Sequence, residues 1–491
     1  MSKFILSIDE GTTATTAMVV QSDLTVIGKA SNEIPQIYPQ PGWVEHAPEA
    51  IWASTESSCR HAMEVAGVSP SDCIAVAISN QRETTMLWDR VGGRSRYNAI
   101  VWQCRRTAPF CDELKAQGHE PLFKQRTGLV LDPYFSGTKV RWMLDNVPGL
   151  RADVDAGKVA FGTVDSFLAY RLSGGVAHVT DVSNASRTLC MNLSTLDWDP
   201  ELMDILGVPK SLMPKIMPSA GVFGVTKGLS FLPDGVPISG IAGDQQSALF
   251  GQTCFNVGQS KCTYGTGAFL LMNTGEQIPV SEHGLLTTVG WTVDGKTCYA
   301  LEGSAFIAGA AVQWLRDGLG LIRTAPESES LASQVPDSGG VVFVPALAGL
   351  GAPYWRADAR GVLVGLTRGT TAAHIVRAVL EGIAFEVADL VDAMGKDLGS
   401  PITELRVDGG ASANNLLMQF QSDILGVPVL RPANVDTTAM GASMLAGIGI
   451  GLWDMDALTK LCEIERSFKP KFSEVMRQQR IAGYRRAVSK A

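Results

Sequence analysis

One pattern occurs twice, half a chain apart, and it limits the folds open to this sequence. Phe4–Ile8 is an apolar run, Asp9-Glu10-Gly11-Thr12-Thr13 carries a Gly/Thr turn, and Ala14–Val20 is again apolar and β-rich. Lys261–Tyr264, Gly265-Thr266-Gly267 and Ala268–Asn273 repeat the plan. Strand-forming residues on both sides of a glycine turn predict a β-hairpin in each place. A repeat at half the chain length predicts two lobes of similar topology rather than a short-period solenoid. The division falls near residue 250, just after Gly243-Asp244-Gln245-Gln246, giving lobes 1–250 and 251–491. No low-complexity linker separates them, which predicts a shared interface and a cleft.

Strands and helices alternate between the hairpins, an α/β pattern. Ile74–Ile78 and Leu405–Val407 read as short buried strands. Over 374–394, Val376, Leu380, Ile383, Val387, Leu390 and Met394 fall on one helical face. Asn414–Leu425, closed by Gly426, and Thr438–Ile448, rich in small residues that permit close packing, read as two more helices. The basic tail Met476–Lys490 reads as a helix with a solvated face.

Composition removes several function classes. With 45% hydrophobic residues the chain is not disordered, and a net charge of −8 is a poor match for nucleic acid. The longest uncharged run, Ser338–Trp355, contains Pro345 and Pro353 and reads as strand and loop rather than a membrane span. Nine scattered cysteines without a C-x-x-C pair read as buried free thiols. Phe4–Ile8 is too short for a signal-peptide core. The expectation is a soluble, cytoplasmic protein with no membrane insertion.

Several stretches carry residue types suited to chemistry. Glycine turns can aim successive backbone N–H groups into one concavity, and Thr12, Thr13 and Thr266 add uncharged donors, so two matching turns point to phosphate. Asp9, ending its strand beside them, is placed to serve Mg²⁺, through water because Mg²⁺ dehydrates reluctantly. Val407-Asp408-Gly409-Gly410 leading into Asn414 reads either as a nucleotide-binding turn or as an ordinary strand-to-helix turn. Asp244, after a glycine-rich apolar strand, reads either as a general base facing the cleft or as a helix N-cap. Arg82-Glu83 within Asn80–Thr85 reads as a donor–acceptor pair for a polyhydroxylated ligand or as a surface ion pair. Neighbours on a regular strand point to opposite faces, so both reach one ligand only if the backbone turns there. Trp102 and Tyr134 read as covers for the C–H faces of such a ligand or as packing residues. No G-x-x-x-x-G-K-[ST] loop, G-x-G-x-x-G fingerprint or H-R-D loop is present, so any nucleotide use needs another architecture.

Taken together, Asn80–Thr85, Tyr97–Thr107, Thr127–Lys139, Thr180–Thr188, Ile241–Phe250, Tyr264–Phe269, Gly349–Trp355 and Val407–Gly426 resemble the FGGY family of carbohydrate kinases, and within it the members that phosphorylate glycerol. The resemblance runs from the first hairpin to about residue 485. It implies an α/β fold of two RNase H-like lobes of the actin type, with a catalytic cleft between them. It implies ATP-dependent phosphorylation of glycerol to sn-glycerol 3-phosphate, with ATP and Mg²⁺, and a homo-oligomer, dimer or tetramer. By the same resemblance Arg82, Glu83, Trp102, Tyr134, Asp244, Gln245 and Phe269 hold glycerol, with Asp244 as base. Thr12, Thr13, Thr266, Gly309, Gln313, Gly410 and Asn414 contact the nucleotide, and Asp9 serves the metal.

Two departures stand in the first hairpin. Glu10 replaces the glutamine of the family pattern and Thr16 replaces its arginine. Losing a cation near a transferring phosphoryl group weakens transition-state binding unless something compensates. Gly235 stands where members inhibited by fructose 1,6-bisphosphate carry arginine, so that regulation is not expected. Two other readings remain at this point: a kinase for another polyol or ketose, and a catalytically weak regulatory relative.

Overall fold

The computed structural model describes residues 3–356 and 358–491. Both predicted hairpins are present: Phe4–Glu10 pairs antiparallel with Ala14–Gln21, and Ser260–Tyr264 with Ala268–Gly275. Each seeds a sheet of the same plan. Around the first, Val26–Glu33 extends the antiparallel side, while Cys73–Asn80 and then Pro237–Gly243 add parallel strands on the other. Around the second, Lys296–Ala305 takes the antiparallel side, and Leu405–Asp408 and Val429–Pro432 the parallel one. Edge strands complete sheets of six and seven. The two lobes are mixed α/β units of one topology, the RNase H-like, actin-type arrangement.

Helix Pro48–Ala66 covers one face of the first sheet, burying Ile51, Trp52, Cys59 and Met63. Helix Ala372–Leu398, longer at both ends than its apolar stripe predicts, lines the core of the second lobe. Asn415–Leu425 is capped at its start by the Asn414 side chain and stopped by Gly426 at φ 73°. The basic tail folds as Glu474–Val488. Its basic face pairs with acids, as in Arg485 to Asp389, and Tyr484 stacks on Phe385.

The small-residue helix, observed as Thr437–Gly449, packs across the lobes. A Cβ on Gly441 would collide with the Ser247 carbonyl, and one on Gly251 with the Thr437 carbonyl, so neither helix backbone tolerates a side chain there. Met440 and Met444 share an apolar cluster with Met18 and Val20 of the first sheet, Leu271 of the second, and Leu249 of helix Asp244–Gly251. Among the described residues no helix is long and apolar enough to cross a membrane, and all nine cysteines are free, eight of them buried.

Candidate active site

The cleft is built where strand ends of the two sheets meet. Strand Cys73–Asn80 ends at Asn80, and Glu83 then takes a left-handed backbone, φ 64°. That conformation is strained for glutamate by about 1–3 kcal/mol. It supplies the turn that lets Arg82 and Glu83 serve one cluster. Neither is on the surface: Arg82 is 2% exposed and Glu83 1%, which removes the surface-pair reading.

Arg82 is the hub. Its Nη1 and Nη2 donate to Glu302 Oε2 and Oε1 at 2.5 and 3.0 Å, a bidentate pair from one lobe to the other. Its Nε lies 3.2 Å from Asp244 Oδ1, and Nη2 donates to the Tyr134 hydroxyl at 3.2 Å. Arg187 closes the cluster, donating to Glu83 at 2.6 Å and to Glu302 at 2.9 Å. Gly243 is required here, because a Cβ on it would lie 2.7 Å from Arg82 Cγ.

Burial alone would push the Glu302 carboxyl up, but Arg187 and Arg82 hold it down to about 2. A carboxyl depressed below its unfolded value of 4.5 contributes stability above that pH, lost as pH falls through 2. We therefore expect the stability gap between wild type and Glu302→Gln to be widest above pH 4.5 and to narrow toward pH 2 in urea titrations. For Glu83 burial wins over both arginines, and its carboxyl is raised.

Asp244 is the first residue of helix Asp244–Gly251 rather than its cap, which is Gly243. The strand before it is buried, and the helix N-terminus favours an anion. Its Oδ1 accepts from the Gln245 N–H at 2.7 Å, and the side chain is 30% exposed, so the carboxylate is fixed yet open to the cleft. Asp9, on hairpin strand Phe4–Glu10 two strands away in the sheet, is pushed up to about 7 by burial and by the charge of Asp244. Two carboxylates repelling across one space are the surroundings a divalent cation relieves. Among the described residues no group of three ligating side chains forms.

Trp102 and Tyr134 meet edge to face at 5.6 Å between centroids, and the Trp102 indole donates to Thr12 Oγ1 at 2.8 Å. The aromatic pair therefore touches both Arg82 and the first Gly/Thr turn. Register places Lys261, Phe269 and Glu302 on one face of the second sheet, since Lys261 opposes Leu271 and Leu271 opposes Glu302. Lys261, fully buried, donates to Gln245 Oε1, tying that glutamine to the second lobe.

A cavity of about 360 Å³ in the second lobe gathers Thr266, Gly309, Gln313, Gly410 and Asn414. Gly309 packs its missing Cβ 2.6 Å from the Gly265 carbonyl, which holds the turn against the next helix. Asn414 is partly committed, its Oδ1 capping Leu417 N at 2.9 Å and its amide donating to Ser328. Thr12 and Thr13 stand on the opposite lobe, outside this cavity. Gly410 meets no atom within 4 Å of a built Cβ. Gly410→Ala should therefore fold normally, with unchanged thermal midpoint, yet weaken ATP about tenfold in a binding titration.

Sequence reasoning missed Arg187, Glu302 and Lys261, and also Gln246, whose Oε1 accepts from Arg82 Nη1 at 3.3 Å, and Arg316, which lines the second-lobe cavity. Arg187 and Lys261 sit inside quoted motifs. Glu302 carries the clearest overlooked signal, a lone carboxylate within the buried run 298–303 of strand Lys296–Ala305.

The N-terminal domain of the FGGY family of carbohydrate kinases matches residues 4–251, and its C-terminal domain residues 260–450. The chain belongs to the FGGY family of carbohydrate kinases. Relatives within it include a glycerol kinase of Myxococcus xanthus, 55% identical over all of this chain and 99% of that protein. Glycerol kinase 2 of Thermotoga maritima is 54% identical over 100% and 99%. The crystal structure of Plasmodium falciparum glycerol kinase with ADP superposes with a TM-score of 0.93 at 36% identity, covering 100% of this chain and 98% of that one. A gluconate kinase of Lactobacillus acidophilus, at 23% identity and TM-score 0.86 over 100% and 97%, shares the fold.

Proposed function

We propose that the chain transfers the terminal phosphate of ATP to glycerol, giving sn-glycerol 3-phosphate. Full-length identity of 52–55% to glycerol kinases carries the reading. The cleft supports it with a carboxylate, two charge pairs and an aromatic wall beside a phosphate-suited turn. The gluconate and xylulose kinases share only the fold, at 23% identity or less, so a sibling activity is not favoured. An inactive relative is not favoured either.

In this reading Asp244 accepts the proton from a terminal hydroxyl as that oxygen attacks phosphorus in line. Arg82 holds the carboxylate at its angle, and Arg82 and Glu83 take the remaining hydroxyls. Trp102, Tyr134 and Phe269 cover the carbon chain, and Gln245 orients the substrate from the helix. The first lobe, 1–250, binds glycerol, and the second, 251–491, binds nucleotide through Thr266, Gly309, Gln313, Gly410 and Asn414. Thr12 and Thr13 offer uncharged donors to the transferring group. Asp9 serves Mg²⁺, which when bound neutralises charge on the phosphates. Most of the rate comes from positioning and from lobe closure, which keeps water from the phosphate. The kinship also supports a cytoplasmic location and a homo-oligomer, dimer or tetramer.

A coupled ADP-release assay over a polyol and ketose panel tests the reading. Glycerol should give the highest kcat/KM; a preference for xylulose or gluconate would refute it.

A further inference from the structure

The first sheet places a cation beside the cleft that none of the roles above uses. Asp9 opposes Thr16 across the hairpin, and Thr16 opposes Ser31 on strand Val26–Glu33. Directly opposed residues share a face, so these three form a row on the cleft side. Lys29 lies on the same face, two residues from Ser31. Gly28 and Ala30 point the other way, against helix Pro48–Ala66, where a Cβ on Gly28 would collide with Ala62 and Ala66.

Thr16 is short and uncharged, and its hydroxyl is spent on Ser31 Oγ at 3.1 Å. Lys29 is long, and its ammonium donates to both oxygens of Asp436 at 2.7 Å. Asp436 stands at the start of the interlobe helix Thr437–Gly449 without capping it, so the pair crosses from one half of the chain to the other. Lys29 is 46% exposed and Asp436 39%. Both charges are felt at Asp9, Asp436 raising its carboxyl and Lys29 lowering it, so both sit within electrostatic reach of the strand end. Met18 directly opposes Lys29, and the polar and charged groups on that face are Asp436 from the covering helix, Asp9 and Thr16 from the hairpin, and Ser31 and Glu33 from its own strand. A half-exposed pair of this kind contributes little stability and is readily exchanged. An ammonium–phosphate bond is charge-assisted, and a polyphosphate arriving beside Asp436 would both attract Lys29 and repel its present partner.

We propose that Lys29 is a phosphate-binding residue of the nucleotide site, parked on Asp436 until a nucleoside triphosphate enters and then moving to one of its phosphate oxygens. It supplies from the neighbouring strand the positive charge that Thr16 does not. The inference rests on the ATP-dependent reading above and names a further residue for it.

The test is a calorimetric titration of a non-hydrolysable ATP analogue and of adenosine, with steady-state kinetics alongside. Lys29→Met should weaken the analogue about tenfold or more and raise the ATP KM, leaving adenosine affinity and the glycerol KM unchanged. Lys29→Arg should retain most of the affinity. Asp436→Asn breaks the same ion pair but keeps the cation, so it should leave analogue affinity equal or tighter. Unchanged analogue affinity in Lys29→Met would overturn the proposal. So would equal weakening by Lys29→Met and Asp436→Asn, the mark of an interlobe latch. Because the titrations need no turnover, they report on Lys29 even if glycerol proves not to be the acceptor.

Discussion

Replacing Asp244 by asparagine should lower kcat for glycerol phosphorylation by about 10³-fold while glycerol binding stays measurable. The substitution keeps shape and removes proton-accepting capacity. Asparagine can still accept the Gln245 N–H bond and a bond from Arg82 Nε, the two contacts that now fix Asp244 Oδ1. The helix start is therefore preserved, and the loss falls on the chemical step rather than on the fold. A split between kcat and the glycerol dissociation constant is the diagnostic readout. A near-normal rate would show that the hydroxyl proton leaves by another route and that Asp244 only positions.

The second large effect is structural and catalytic at once. Arg82→Met should destabilise the protein by about 3–5 kcal/mol, because it removes the bidentate partner of Glu302 and leaves a buried carboxylate under-compensated. Arg187 would remain as the cation between Glu83 and Glu302. Asp244 would lose the contact that sets its angle, and Tyr134 the donor to its hydroxyl. Chemical denaturation should therefore show an earlier midpoint, and kcat/KM for glycerol should fall further than the stability loss alone explains. Arg82→Lys tests the geometry: it keeps one charge but not the fork, so stability should recover more than activity does. If Arg82→Met retains wild-type stability, the buried Arg82–Glu302 pair contributes nothing to holding the lobes together.

Much of the architecture is legible in the chain because its determinants are local. A hairpin needs strand formers and a turn within about a dozen residues, and both copies meet that need. Helix 372–398 announces itself by periodicity, and Asn414 and Gly426 mark the ends of another. The charge cluster is different. Arg82 finds Glu302 220 residues away, and Arg187 finds Glu83 across 104. No local pattern encodes those pairings; they exist only once two sheets face each other. The Arg82–Glu83 pair illustrates the limit well, since alternation forbids a shared target and only the left-handed backbone at Glu83 restores it. Small residues over Thr437–Gly449 indicate close packing, but not that the surface packed against belongs to the other lobe. Lys29 was silent for the same reason, as its partner Asp436 lies 407 residues on.

The most direct test of the account is the product itself. Purified protein given radiolabelled ATP, Mg²⁺ and glycerol should form ADP and sn-glycerol 3-phosphate in equal amounts, with no phosphate released to water. Release of ADP with inorganic phosphate and no phosphorylated glycerol would contradict it.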